Sequence, residues 1–411
     1  MRRVAWFLLL LFAFAIPWEY SLDLGAPLGN AARIAGFLLL LAAIPAILHR
    51  GRFHTPGSTQ WLVLAFFFWF CCSYFWSIDP QATWGKMRAY FQETMIVWLV
   101  WEFAESPADL RALLRAWVAG SWVLAALTLG NFASPEAVAT EQIRFVAIGQ
   151  DPNDVARFLD LGFPMAALLL LSESHWSGRL LAAGYLPLGL VAVLLTASRG
   201  GFLAAVVALL GCGILLVQGN PRRAIAGALA LSAVATALWF VVPHETFERL
   251  STIAEQLRGG DLNQRMNIWS AGWHAFVQAP LLGRGAGSFV AVTGLAPIDT
   301  AHNTALSIAV GGGLCALFLA TAILALAVRS ILQTQGALRL ALATALLVWM
   351  VTSLVASVEE SRTTWLLLAL IALAGRLAVE EPETLAACFP TTRQDSGSGL
   401  VPGYAERGQQ P

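Results

Sequence analysis

The sequence predicts an all-α polytopic membrane protein with about twelve transmembrane helices and one large helical loop on the outer face. Of its 411 residues, 58% are hydrophobic and only 12% are charged, which excludes a set of soluble domains. The apolar residues form runs of the length that a helix needs to cross a bilayer, roughly 17–25 residues. The 25 basic and 25 acidic residues balance, so no excess of positive charge favours nucleic acid as a partner.

The apolar runs set the path of the chain through the membrane. We predict helices at residues 3–20, 33–48, 61–77, 92–104, 112–130, 157–171, 180–197, 201–217, 222–242, 301–327, 337–357 and 363–378. The first run also resembles a secretion signal, with Arg2-Arg3 ahead of it and Ala13-Phe14-Ala15 within it. Pro17 suits the end of a retained first helix better than a cleavage site, so we expect this helix to stay in the protein.

Arginines in the short loops predict the orientation. If successive helices cross the membrane in alternating directions, all of these arginines fall on one side of it. The positive-inside rule assigns that side to the cytoplasm. These arginines are Arg2, Arg3, Arg50, Arg52, Arg111, Arg115, Arg179, Arg222, Arg223, Arg329, Arg339 and Arg376. Both termini are then cytoplasmic, and segments 131–156 and 243–300 face outward. Residues 1–379 form the membrane domain, and residues 380–411, rich in Pro, Gly, Ser, Thr and Gln, are predicted to be a disordered cytoplasmic tail.

The loop at 243–300 has helical patterns of its own. Apolar residues recur at helical spacing from His244 to Arg258 and predict one amphipathic helix on the membrane or on the bundle top. Asp261 followed by Gln264 resembles a capping box and predicts the start of a second helix. The chain re-enters the membrane near His302, with Asp299-Thr300 as the expected cap.

Three residues at outer-side helix starts are the candidates for chemistry: Arg199, Arg265 and His302. Two guanidinium groups at positive helix ends suit a phosphate-bearing lipid, and a neutral imidazole at a third can act as a general base. Each also has a plain explanation. Arg199 can be an arginine that reaches the lipid headgroups, Arg265 an ion-paired loop residue, and His302 a hydrogen-bonded interfacial residue.

Several further residues are secondary candidates. The run Gly149–Asp154 with Arg157 could add polar groups to the same site, although such runs usually form a turn and a helix cap. Arg284 in the GRGAG segment is another candidate for the anion. Lys86 and Arg88 are also on the outer side and suit lipid headgroups.

The sequence lacks the motifs of several other enzyme classes. It has no clustered metal ligands, no P-loop and no Gly-x-Ser-x-Gly, so we expect neither a metal nor a nucleotide cofactor. The charged residues gather at helix ends rather than inside the membrane. This pattern is unfavourable for an ion-coupled transporter, which needs buried carboxylates.

Four motifs together resemble the bacterial O-antigen ligase family: TASRGG at 196–201, QRMNIW at 264–269, PLLGRGAG at 280–287 and AHN at 301–303. The likeness covers roughly residues 150–320. It implies a membrane fold like that of the C-type glycosyltransferases, in the bacterial inner membrane with a periplasmic active site. It further implies transfer of O-antigen polysaccharide from undecaprenyl diphosphate to a sugar of the lipid A core, without metal or ATP. Arg199 and Arg265 would then hold the donor diphosphate and His302 would be the base.

Other activities stay open at this point. A Wzy-type polysaccharide polymerase belongs to the same superfamily, and the spacing from Arg249 to Gly260 fits a pattern described for polymerases. A protein O-oligosaccharyltransferase usually carries a larger soluble part than this chain. A lipid or polysaccharide transporter is the alternative of a different class, with the two arginines as headgroup contacts and His302 as a structural cap.

Overall fold

The protein is a helical bundle, described by a computed structural model for residues 1–25, 29–51, 53–134, 136–140, 143–217, 236, 240, 242–260, 264–296 and 300–390. Within these residues the α-helices are α1 (Arg2–Ala15), α2 (Ala31–Arg50), α3 (Ser58–Cys72), α4 (Pro80–Phe103), α5 (Pro107–Ala133), α6 (Pro152–Ser172), α7 (Trp176–Leu195), α8 (Arg199–Val217), α9 (His244–Ser251), α10 (Ile253–Gly259), α11 (Arg265–Gln278), α12 (Phe289–Thr293), α13 (Thr304–Gln333), α14 (Gly336–Ser353), α15 (Arg362–Glu380) and α16 (Pro382–Cys388). Short 3₁₀ helices follow α1 (Ile16–Ser21) and α3 (Ser73–Trp76). A small antiparallel hairpin pairs β1 (Ala139–Thr140) with β2 (Arg144–Phe145).

Ten helical segments of the described chain are long and apolar enough to cross a membrane, which makes this a polytopic membrane protein. They correspond to ten of the predicted helices. The predicted helix at 92–104 is part of the longer helix α4, which is not among the ten because polar residues such as Lys86 and Glu93 interrupt its apolar run. The predicted helix at 222–242 lies almost entirely outside the described residues.

Helices α6 and α15 form the centre of the bundle, because both are buried along most of their length. Helix α6 packs against α5, α7, α8 and α14, whereas α15 packs against α4 and α13. Helices α1 and α2 pack together at the edge, where α1 also contacts α5. Small residues permit close approach of α8 to α6, because a side chain at Gly201 of α8 would collide with Ala156 of α6.

The two ends of the bundle differ in their charged contacts. At one end, arginines predicted on the cytoplasmic side are paired: Arg50 with Glu102 at 3.2 Å, and Arg115 with Glu173 at 2.6 Å between Nη2 and Oε2. Arg2, Arg111, Arg179 and Arg376 make their contacts in the same region. The other end, which we call the Arg199 end, carries the described loops within 16–30, 73–79, 134–151, 196–198, 242–303 and 354–361.

The outer loop is more broken than the sequence predicts. The expected single helix from His244 to Arg258 is divided into α9 and α10 at Thr252. The N-cap of the second helix is Gln264, which has a left-handed φ of 62°, whereas the predicted cap Asp261 lies outside the described residues. The re-entering helix is capped by Asn303, whose side chain accepts a hydrogen bond from the Leu306 amide at 2.9 Å. Of the predicted cap, Thr300 precedes this position and Asp299 lies outside the described residues.

The GRGAG segment forms hydrogen bonds with the re-entering helix α13 beside a residue where that helix is interrupted. Gly313 has a non-helical backbone, with φ of 66° and ψ of −163°. Near this break, the Arg284 amide donates to the Val310 carbonyl at 2.8 Å, and the Gly285 amide donates to the Gly311 carbonyl at 2.9 Å. The loop therefore supplies hydrogen bonds that backbone groups require in an apolar bundle.

Two further expectations need correction. Asp160 on α6 is fully buried, and neither of its carboxyl oxygens has a hydrogen-bond partner among the described residues. Glu93 is likewise buried within α4, so charged groups are not confined to helix ends. At the C-terminus, α16 is helical and Leu385 and Phe389 are buried, so folded structure continues beyond the predicted boundary at residue 380. Residues 391–411 of the predicted tail lie outside the described residues.

We predict that Gly283→Ala lowers the thermal unfolding midpoint in detergent by several degrees more than Gly294→Ala. Both glycines have a positive φ, 71° and 66°, so each substitution carries a similar backbone cost of about 1 kcal/mol. A Cβ at position 283 would also lie 2.6 Å from the Gly311 carbonyl oxygen, whereas nothing lies within 4 Å of one at 294. Equal shifts in the two midpoints would show that the loop does not pack against α13 in this way.

Candidate active site

The turn between α7 and α8 places Arg199 at the first position of α8. Ser198 caps this helix, because its Oγ accepts a hydrogen bond from the Gly201 amide at 3.2 Å. Ala197 has a φ of 47°, a left-handed conformation that is uncommon for a residue with a side chain. The backbone ahead of Arg199 is therefore tightly constrained, as is common at functional sites.

Two arginines from other segments bind the carbonyl groups of this turn. Arg144, on β2, donates from Nε to the Thr196 oxygen at 2.8 Å. Arg249, on α9, donates from Nε to the Ala197 oxygen at 2.9 Å. Arg199 in turn donates from Nε to the Arg249 oxygen at 3.3 Å. Segments that are far apart in sequence thus meet around one short turn.

Asn153 joins the start of α6 to this arrangement. Its Oδ1 accepts hydrogen bonds from Arg144 Nη2 at 3.0 Å and from Ser198 Oγ at 2.8 Å. The run Gly149–Asp154 therefore does contribute to the site. Its contribution comes through Asn153, whereas Arg157 is buried in an ion pair with Asp154 at 2.7 Å.

The arginines are close enough to affect one another's protonation. Burial lowers the pKa of Arg265, and the positive charge of Arg199 lowers it further. The pKa of Arg249 is lowered by the same two causes. For Arg144, burial, Arg249, Arg199 and Arg265 together lower the pKa to about 10, although Asp151 acts in the opposite direction. Four partly buried guanidinium groups thus share one region, and an anion there would be favoured by their combined charge.

We call Arg144, Arg199, Arg249 and Arg265 the arginine cluster. The structure brings the two predicted members, Arg199 and Arg265, together, and each starts a helix whose dipole adds positive charge. The sequence did not indicate Arg144 as a site residue, and it indicated Arg249 only as part of the predicted helix from His244 to Arg258 and of the polymerase spacing. Arg144 carries no periodic signal, since its strand has only two residues.

His302 lies at the Arg199 end, where its chain neighbours Ala301 and Asn303 form hydrogen bonds with other segments. Trp269, one turn after Arg265, donates from Nε1 to the Ala301 oxygen at 3.1 Å. Asn303 donates from Nδ2 to the Leu354 oxygen at 3.2 Å. The next residue, Val355, lies beside Gly200, because a Cβ at Gly200 would be 2.9 Å from Val355 Cγ2.

The backbone of His302 is itself unusual. It has a φ of 43° and precedes the cap of α13, so it lies two residues before the helix rather than within its first turn. Hydrogen bonds of the neighbouring residues Ala301 and Asn303 thus place His302 near the segments that carry Arg265 and Arg199. The charge of Arg199 acts on Arg265, and the neighbours of His302 contact Trp269 and the loop after α14.

Glu359 is a buried acid at this end that sequence analysis did not identify. Burial and the nearby Glu360 raise its pKa from an ordinary value of 4.5 to about 7. Its Oε2 has no hydrogen-bond partner among the described residues. With Thr304 it lines an apolar cavity of about 390 Å³ between α13, α14 and α15, which we call the α13–α15 groove. The only sequence signal was an acidic pair directly after an apolar run.

The other secondary candidates lie apart from the arginine cluster. Arg284 donates from Nη2 to Gln278 Oε1 at 3.1 Å. Lys86 forms an ion pair with Glu360. Arg88 lines a different cavity, between α2 and α4. Among the described residues, no group of three or more His, Cys, Asp or Glu side chains is arranged to hold a metal ion.

We predict that Glu359→Gln stabilises the protein relative to wild type at pH 8 but has much less effect at pH 5. The folded protein holds a proton on Glu359 up to about pH 7, whereas the unfolded chain releases it near 4.5. Stability is therefore lost as pH rises between these values, by about 3 kcal/mol at most, and glutamine removes this loss. The measurement is the unfolding midpoint against pH, with Glu383→Gln as the control at an exposed position. A difference from wild type that does not change with pH would contradict the prediction.

Comparison with known proteins identifies part of the chain. No curated protein matches it. A family model described as O-antigen ligase matches residues 184–321, from α7 into α13. This segment contains Arg199, Arg249, Arg265 and His302, and members of the family transfer glycans. The resemblance predicted from the motifs is therefore confirmed: residues 184–321 match the O-antigen ligase family model.

Proposed function

We propose that this protein is an O-antigen ligase of the bacterial inner membrane. It transfers O-antigen polysaccharide from undecaprenyl diphosphate to a sugar hydroxyl of the lipid A core. The observation that carries this proposal is the arginine cluster, which gathers four cationic side chains at one end of a membrane bundle and largely within the family segment. An anionic lipid headgroup is the ligand that this charge and location suit best.

The arginine cluster would bind the donor diphosphate and stabilise it as the leaving group. Guanidinium groups make bidentate, charge-assisted hydrogen bonds to phosphate. The helix starts at Arg199 and Arg265 add partial positive charge to the same region. Charge that builds on the diphosphate as the glycosidic bond breaks is then stabilised by groups already in place.

His302 would be the general base. It takes the proton from the acceptor hydroxyl, whose oxygen bonds to the anomeric carbon of the donor sugar. The bond from that carbon to the diphosphate oxygen breaks, and its electron pair leaves with the diphosphate. A single displacement of this kind inverts the anomeric configuration. The constrained backbone of His302 between the Arg265 and Arg199 segments supports this role.

Orientation follows from the distribution of arginines. The end opposite the Arg199 end collects the arginines of the short loops, and the positive-inside rule assigns such an end to the cytoplasm. The Arg199 end would then face the periplasm, where both lipid-linked substrates would meet the site. The protein would use no cofactor.

A Wzy-type polymerase is the second candidate, favoured by one observation. Arg249, which begins the spacing described for polymerases, is a member of the arginine cluster. A polymerase would use the same donor but extend a second lipid-linked glycan. The acceptor that supports transfer discriminates the two, and a protein acceptor would indicate an O-oligosaccharyltransferase.

A transporter is the candidate of a different class, and the buried Asp160 is the feature in its favour. It predicts that lipid-linked glycan crosses the membrane without any new glycosidic bond. Reconstitution in vesicles with lipid-linked donor and lipid A core, followed by product analysis, separates transport from transfer.

We predict that Arg199→Ala and Arg265→Ala each reduce kcat/KM for the lipid-linked donor by roughly 10- to 100-fold, because each removes a charged contact to the diphosphate. Arg265→Lys should retain part of the activity, since it keeps the charge but loses the bidentate geometry. Arg258→Ala is the matched control, because Arg258 is exposed on α10 in the same loop. An equal loss in the control would assign the effect to general surface charge.

We also predict that His302→Ala lowers kcat by roughly 100-fold or more while the KM for donor changes little, as expected for loss of a general base. The product formed by wild type should have the inverted anomeric configuration. A normal rate in the variant would remove His302 from the chemistry. Retention of configuration would rule out the single displacement.

A further inference from the structure

A second apolar cavity, of about 500 Å³, opens between α2 and α4. We call it the α2–α4 groove. Its apolar walls include Phe12, Leu40, Phe67, Phe91 and Met95. The lining of α4 extends from Trp84 to Leu99, which corresponds to about 22 Å along a helix. This length and character suit a lipid chain that enters sideways from the membrane.

Three arginines line the same groove: Arg33, Arg88 and Arg362. Arg362 is held by an ion pair with Glu19 and by a hydrogen bond to Gln92 Oε1 at 2.7 Å. Arg33 and Arg88 are exposed, and neither has an ion-pair partner among the described residues. Two free guanidinium groups beside an apolar channel complement a phosphate group attached to a lipid chain.

The loop after α14 connects this groove to the arginine cluster. Its first residues, Leu354 and Val355, contact the segments of Asn303 and Gly200. The loop ends at Arg362, which lines the α2–α4 groove. Its middle carries Glu359, which lines the α13–α15 groove. Two apolar grooves thus flank one loop at the Arg199 end.

We propose that the α2–α4 groove binds the acceptor lipid, a phosphorylated glycolipid, with one acyl chain along α4 and its phosphate between Arg33 and Arg88. This inference rests on the proposed function, because a transfer between two membrane-anchored substrates needs two places where lipid chains enter. The α13–α15 groove is lined by Thr304, two residues after His302, and suits the donor chain. The α2–α4 groove is then left for the acceptor, which carries the phosphate charge that Arg33 and Arg88 complement.

The kinetic test uses the double variant Arg33→Ala/Arg88→Ala in the full-length protein. We expect the KM for lipid A core to rise about tenfold or more, with the KM for the undecaprenyl diphosphate donor within about twofold of wild type. Met95→Trp, which fills the groove without removing charge, should have the same selective effect. Arg329→Ala is the matched control, since Arg329 is exposed at the opposite end. Equal changes in both KM values, or none, would overturn the assignment.

Binding is measured separately from transfer, by native mass spectrometry of detergent-solubilised protein with lipid A, undecaprenyl phosphate or phosphatidylglycerol. We expect wild type to retain lipid A and the double variant to lose it, with retention of the other two lipids unchanged. Loss of phosphatidylglycerol to the same extent would assign the groove to bulk phospholipid, and loss of undecaprenyl phosphate would assign it to the donor. If wild type transfers no glycan but this selective loss of lipid A occurs, the proposed function fails, whereas the binding of lipid A in the α2–α4 groove stands.

Discussion

The hydrogen bonds from arginine side chains to the carbonyl groups of the turn at Thr196–Ser198 hold the charged end of the molecule together. Arg144 and Arg249 each donate a hydrogen bond to one of these carbonyls. Helix α8 begins directly after this turn, at Arg199. The carbonyl oxygens offset part of the cost of gathering guanidinium groups in a partly buried place. An anion bound there would relieve the remaining repulsion, so the interactions that fix this turn also hold the proposed anion site.

The membrane imposes the second constraint, because backbone groups inside it must be hydrogen-bonded within the protein. Helix α13 is broken at Gly313, and the GRGAG loop supplies hydrogen bonds beside the break. This loop is also the continuation of the segment that carries Arg265. Docking of the loop on α13 therefore helps to position the start of α11 relative to His302, which begins the return into the membrane.

The sequence predicts those features of the fold and of the candidate site that depend on residues close together in the chain. Runs of apolar residues locate the spanning helices well, and helix starts identify Arg199 and Arg265. Arg144 escaped prediction because its position depends on a contact with Thr196, far away in sequence. Arg249 lies in a segment whose amphipathic pattern predicts a helix. That pattern does not predict the hydrogen bond from Arg249 to Ala197. The predicted caps Asp261 and Asp299 lie outside the described residues, and the two helices start later than predicted, with Gln264 and Asn303 as their N-caps, the first with a left-handed backbone that composition does not reveal.

In the proposed reaction, Arg199 and Arg265 bind the diphosphate of a lipid-linked glycan while His302 faces the sugar. A cryo-electron microscopy structure with an undecaprenyl diphosphate donor tests it most directly. We expect phosphate oxygens at hydrogen-bond distance, about 3 Å, from the guanidinium groups of Arg199 and Arg265, with the lipid chain in the α13–α15 groove. A diphosphate bound between Arg33 and Arg88, with the arginine cluster empty, would contradict it.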